Sequence, residues 1–255
     1  MGFYLPVTTR LPVIVGLMCL AISGCTATTT GAALPAAPIP PTTAESLPAL
    51  LLSAPEVAAA LDGDELTITS DVSRMWNDSH MSTDGGHMST DGGHMSTDGR
   101  RVDAAGCLAI VGAAQQGVYA DSGWTGMHGQ VLREPPTAPQ WSHYTVQAVV
   151  LFPTAAAAVD FFTKSQSSWA GCSDRELTYP QAPAPEQLWS VGPSRTSLGV
   201  LTVSRTQRGP QRWFCQRALT VRASVAVDVE ACSLDAPTSA AAAIASMIGE
   251  RLPTA

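Results

Sequence analysis

Trp213-Phe-Cys-Gln-Arg-Ala-Leu-Thr-Val-Arg-Ala-Ser-Val-Ala-Val-Asp-Val-Glu-Ala-Cys232 is the stretch that decides the fold. It contains two β-rich runs that meet near Ala223-Ser224. With those two residues as the loop, Arg222 faces Val225 and each later pair follows in step, so Cys215 lands opposite Cys232 and Arg217 opposite Glu230. An opposite-charge pair across strands favours its register by roughly 0.2–1 kcal/mol. The same register gathers Phe214, Ala218, Val225, Val227, Val229 and Ala231 on one apolar face, and a slip of one residue would mix the faces. Ala-Ser is a poor two-residue turn, so a four-residue loop from Arg222 to Val225 with the same pairing stays open.

Outward from this hairpin, Tyr144 to Phe152 predicts a buried strand, with Tyr144, Val146, Ala148, Val150 and Phe152 on one face. Pro153-Thr154 ends it and caps a helix through Trp169, whose expected inner side is Ala155, Ala158, Val159, Phe162 and Trp169. Ser53-Ala-Pro-Glu56 opens a first helix with a capping box and stops near Gly63. A short strand follows at Leu66–Thr69, and another strand spans Leu198 to Thr206. The last helix is expected from Asp235-Ala-Pro237, packing through Ile244, Met247, Ile248 and Leu252. Runs of strands with helices at the margins predict an α+β fold, an antiparallel β-sheet flanked by helices.

The N-terminus reads as an address. Arg10 precedes the apolar run Leu11 to Ile22, too short for the ~20 residues a membrane helix needs. Ile22-Ser-Gly-Cys25 then resembles a lipobox, so residues 1–24 are expected to be a lipoprotein signal peptide and Cys25 the lipidated mature N-terminus. Residues 25–45, rich in Thr, Ala and Pro, form an expected tether. The net charge of −7 argues against nucleic acid as a partner. The membrane is reached through the lipid anchor, on the extracytoplasmic face.

Of the six cysteines, Cys19 leaves with the leader and Cys25 carries lipid, so Cys107, Cys172, Cys215 and Cys232 remain. An even number in an exported chain implies two disulfides. The hairpin register selects Cys215–Cys232 and leaves Cys107–Cys172, each contributing on the order of 2–4 kcal/mol.

Residues 80–100 hold three tandem seven-residue units, starting at His80, His87 and His94. A unit whose one apolar side chain is a Met cannot offset the entropy of ordering it, so this is an expected disordered insertion. The spacing of His80, His87 and His94 does not match zinc sites, and neither metal nor cofactor is expected.

Ser122-Gly-Trp124-Thr-Gly-Met-His-Gly-Gln130, Gln147-Ala-Val-Val-Leu-Phe-Pro153, Phe161-Phe162, Trp169-Ala-Gly-Cys172, Trp213-Phe-Cys-Gln-Arg-Ala-Leu219 and Val227-Asp-Val-Glu-Ala-Cys232 together resemble the PknH-like extracellular sensor domain of mycobacteria. The resemblance covers residues 46–253. It implies an antiparallel sheet flanked by helices, two disulfides, and a cleft for an unidentified ligand.

Two clusters are candidate ligand sites. Trp213, Arg217, Asp228 and Glu230 share the hairpin face opposite the apolar one, where an arginine, carboxylates and an aromatic suit a polar envelope ligand such as a glycan; a solvated face with cross-strand ion pairs is the plainer expectation. Trp124, His128 and Gln130 alternate on another expected strand, where the plainer expectation is a core Trp with surface polar groups. Catalysis is not expected: Gly-x-Ser-x-Gly, His-Glu-x-x-His and Cys-x-x-Cys are absent, and His128 and His143 are the histidines outside the repeat. The function expected is an envelope-tethered ligand-binding or sensor module; the alternatives are a structural or protein-interaction lipoprotein and a cryptic hydrolase built on one of those histidines.

Overall fold

The structure is a computed structural model that describes residues 42–252 apart from 64, 77–101, 104–106, 136, 139–140, 182–183, 210–211 and 235. The expected leader, Cys25 and the heptad units lie outside the described residues. So does most of the expected tether, although its last positions enter a 3₁₀ helix, Ala44–Leu50.

One sheet contains β1 (Thr67–Val72), β2 (Val102–Asp103), β3 (Gly126–Arg133), β4 (His143–Leu151), β5 (Glu176–Gln181), β6 (Ala184–Val191), β7 (Arg195–Ser197), β8 (Val200–Gln207), β9 (Trp213–Arg222) and β10 (Val225–Leu234). Its order is β1-β3-β4-β10-β9-β8-β6-β5-β2, with β7 pairing β8 beside β6. Its pairs are antiparallel except β2 with β5. Consecutive strands joined by short loops can only pair this way, as β9 and β10 do.

The β9–β10 register is the one read from the sequence, with Cys215 opposite Cys232 and Arg217 opposite Glu230. Disulfides join Cys215 to Cys232 and Cys107 to Cys172. Arg222 pairs with Val225, so the loop is the two-residue one, and Ala223 adopts φ 50° to close it. The Ser224 carbonyl accepts a 2.8 Å bond from the Phe152 amide, which ties the turn to the end of β4.

The five α-helices among the described residues divide between the sheet's faces. On one side α1 (Ala54–Ala60) and α5 (Ala240–Arg251), with the 3₁₀ helix, bury Leu47, Val57, Ile244 and Ile248 against Ala218, Val225, Val227, Val229 and Ala231. The Glu56 carboxylate accepts from both the amide and the hydroxyl of Ser53, each at 2.7 Å. Those bonds, with Arg251 beside it, hold the Glu56 carboxyl down at about 2. On the other side α2 (Leu108–Val111), α3 (Gln116–Tyr119) and α4 (Ala155–Cys172) cover Ala148, Val150, Leu219, Trp213 and the Cys215–Cys232 bridge.

Four sequence expectations shift. The inner side of α4 is Ala158, Phe161, Ser165, Trp169 and Cys172, so Val159 is 53% exposed, Ala155 also faces solvent, and the helix runs on to Cys172, past the expected end at Trp169. Leu198 is not in a strand; it has φ 49° in the turn between β7 and β8. The last helix starts at Ala240, beyond the expected Asp235-Ala-Pro237. Phe214 is half-buried rather than part of the core, with the Arg212 guanidinium 5.7 Å from its ring centre.

An alanine in the left-handed region costs roughly 1–2 kcal/mol, partly offset by the extra chain entropy that glycine loses on folding. Ala223→Gly should therefore stabilise the domain by about 0.5–1 kcal/mol, read from the urea midpoint at unchanged slope.

Candidate functional site

The face that the alternating pattern offered to solvent is closed. Arg205 and Arg217 are each 2% exposed, Asp228 3% and Glu230 1%, and Trp213 is also buried. The expectation of a solvated sheet face is thus corrected: α2, α3 and α4 lie over it, because its charges neutralise one another.

The register explains how. Glu230 lies between Val146 on β4 and Arg217 on β9, and Asp228 between Ala148 and Leu219. Arg205 on β8 lies opposite Cys215. The ion pairs run diagonally rather than straight across: Arg217 Nη2 reaches Asp228 Oδ1 at 2.5 Å, and Arg205 Nη2 meets Glu230 Oε1. Asp228 Oδ2 also accepts from the Tyr119 hydroxyl at 3.0 Å and from the Ala114 amide at 2.8 Å. Ala114 is held at φ 50° to present that amide. The guanidinium of Arg217 lies 5.3 Å from the Trp169 ring centre, and that of Arg205 4.8 Å from Trp189. Burial, followed by the Asp228 charge, pushes the Tyr119 hydroxyl well above its usual range and keeps it a donor.

Arg205, Tyr119, Trp169 and Trp189 complete this array and are not among the candidate site residues of the sequence. The available signal was parity: Leu201, Val203 and Arg205 alternate on one face of the expected strand, so Arg205 joins Arg217 against two carboxylates.

The second cluster is divided. His128 and Gln130 share a face of β3 with buried Leu132, which packs with the α5-side core, whereas half-buried Trp124 packs with the opposite core. His128 Nε2 lies 2.9 Å from Asp71 Oδ1 without hydrogen-bond alignment, and its Nδ1 is 3.4 Å from Ser73 Oγ. Gln130 donates to Asp71 Oδ2 at 2.9 Å and accepts from Gln147 at 3.0 Å. His143 differs: its Nδ1 is 2.8 Å from Glu134, which also accepts from Ser142 Oγ at 2.9 Å. There the carboxylate, not the imidazole, is central. Burial raises the Glu134 carboxyl, but the bonds from His143 and Ser142 outweigh it and hold it below its usual range.

Arg133 and Tyr144 are half-buried at the rim of the charged array. Arg133, Tyr144, Cys232, Cys215 and Arg205 are successive cross-strand neighbours over β3, β4, β10, β9 and β8. The Arg133 guanidinium lies 3.5 Å over the Trp141 ring centre. Burial pulls the pKa of Arg133 below its usual value, and burial pushes Tyr144 up to about 12.

Removing one member of a buried ion pair strands the other, which costs roughly 3–5 kcal/mol. Asp228→Ala should destabilise by about that amount, whereas Arg217→Met with Asp228→Leu should recover only the part due to the stranded guanidinium, since the Tyr119 hydroxyl and the Ala114 amide still lack their acceptor. Urea unfolding of both proteins measures the difference.

Comparison with known proteins places this geometry. The family described as "PknH-like extracellular domain" matches residues 42–251. Serine/threonine-protein kinase PknH of Mycobacterium bovis is 31% identical over 198 residues, 78% of this chain and 29% of that protein. PknH of Mycobacterium tuberculosis is likewise 31% identical over 198 residues, 28% of its length. The chain therefore spans less than a third of the curated relatives it matches. The crystal structure of the extracellular domain of PknH from Mycobacterium tuberculosis superimposes with a TM-score of 0.68 at 29% identity, covering 83% of this chain and 97% of that one. With the family match spanning nearly all of the described residues, the two-disulfide sheet described above belongs to the PknH-like extracellular domain family.

Proposed function

We propose that this chain is a sensor-type domain that captures a ligand outside the cytoplasm, held at the membrane by acylated Cys25, with no catalysis of its own. The observation that carries this reading is the contrast between interior and rim. The inner charges are matched with each other beneath three helices, while Arg133 at the rim is partly desolvated and has no carboxylate within ion-pair distance among the described residues. A rigid body that displays such a cation suits recognition more than turnover. The family membership supports an extracytoplasmic setting. No helix among the described residues is long and apolar enough to cross a membrane; attachment through Cys25 rests on the lipobox Ile22-Ser-Gly-Cys25.

Anionic envelope glycan or lipid fractions should raise the melting temperature of the full chain by about 4–12 °C at saturation, the size expected of ~2–3 kcal/mol of binding linkage. Cys25→Ala in the producing cell should move the protein from membranes to the medium. If every fraction leaves the melting temperature unchanged while pull-down recovers a stoichiometric protein, the structural or protein-interaction role replaces ligand capture.

A second reading has one observation in its favour: Asp71, His128 and Ser73 stand in the order acid, base, hydroxyl, with the acid fixed by Gln130. It requires ester or amide turnover that disappears in His128→Ala and in Ser73→Ala alike. Turnover unaffected by either substitution, or none with a general esterase substrate, removes it.

A further inference from the structure

The rim of the charged array extends further along β3 than Arg133. Gly129, on the same strand face, lies against the Trp76 ring: a Cβ there would sit 2.7 Å from Trp76 Cη2. Glycine at this position lets the edge of the indole approach the strand. Between the two ends, Val131, Val146 and Ala113 form a small apolar floor, with half-buried Trp76 and Tyr144 packed around it. Trp76, Tyr144, Arg133 and Trp141 therefore make a continuous half-buried band, about 13 Å long from Gly129 to Arg133 at ~3.3 Å per residue.

Arg133 gives the band its sign. Its Nε is buried and has no hydrogen-bond partner among the described residues. No ion pair joins it to a described carboxylate, and Glu134 next to it is committed to Ser142 and His143. One guanidinium face is occupied by Trp141, which leaves the fork edge to recognise a planar or tetrahedral anion. Aromatic faces beside it suit an amphipathic ring that carries C–H groups on one side and hydroxyls around its edge.

We infer that the Trp76–Tyr144–Arg133–Trp141 band binds a saccharide bearing an acidic group, with the carboxylate or phosphate on Arg133 and the pyranose face against Tyr144 and Trp76. This deepens the ligand-capture reading and rests on it. The anion replaces the missing counter-charge, and the ring covers apolar surface without needing a deep cavity.

Isothermal titration of the full chain with glucuronate, glucose 6-phosphate and glucose tests the assignment. At least one acidic sugar should bind about tenfold or more tightly than glucose, the size of one charge-assisted contact. Arg133→Gln should abolish that preference, Arg133→Lys should retain part of it, and Trp141→Ala should weaken binding. Hydrogen-exchange protection of residues 131–146 of the unaltered protein by the acidic sugar gives a readout that does not depend on the variants folding. Phosphatidylcholine vesicles with and without a glucuronosyl diacylglycerol separate a lipid headgroup from a soluble glycan; retention by either source supports the shared chemistry. Equal affinity for glucose, absence of binding by either acidic sugar, or a preference unchanged in Arg133→Gln overturns the inference. If envelope fractions still raise the melting temperature in that case, ligand capture stands and only this band and ligand class fall.

Discussion

Two guanidinium–carboxylate pairs lie on the inner face of the three central strands, out of reach of water, and the arrangement of the domain follows from keeping each charge paired, while Arg217 Nε and Nη1 have no hydrogen-bond partner among the described residues. Taking each ion out of water costs several kcal/mol, which attraction repays only with good geometry and further hydrogen bonds. Asp228 obtains those bonds from Tyr119 and Ala114, so the segment carrying α2 and α3 must lie on this face. Trp169 and Trp189 fill the space beside the guanidinium groups. The opposite face of the same hairpin has no such requirement, and its valines and alanines pack directly against the small residues of α5.

The hairpin was legible because its constraints agreed. Cysteine spacing, charge opposition and the apolar row all selected one pairing, and that pairing is the one observed. The destination of the polar row was not legible from the same residues. Alternation along Val225 to Glu230 gives one apolar and one polar side but does not distinguish water from a buried complementary charge. Arg205, on a different strand, decides the matter. The rotation of the α4 face has a similar origin. Ala155 and Val159 satisfy helical spacing as well as Phe161 and Ser165 do, and only the sheet beneath selects the second set, burying a serine whose hydroxyl bonds back to the Phe161 carbonyl.

The candidate sites were legible in part. Trp213, Arg217, Asp228 and Glu230 do come together, in a role that secures the fold rather than meets solvent. Trp124 parts from His128 and Gln130 because it precedes β3 and turns towards the other core. The Arg133 band combines residues from three stretches that share no motif, and strand pairing alone brings Tyr144 and Arg133 opposite each other. A single sequence contains no trace of Trp76 lying on Gly129, which depends on the backbone leaving room for an indole.

Arg251, at the end of the last helix, donates to the Leu51 carbonyl and pairs with Glu56, so segments near the two ends of the described residues clasp each other. A pull on the chain entering before Thr43 and a pull on the chain leaving after Leu252 consequently load the same joint. Tension transmitted from outside would load that clasp together with the packing of the 3₁₀ helix on β3 and β4 and of α5 on β9 and β10. Mechanically, the domain behaves as a buckle fastened across the face opposite its rim.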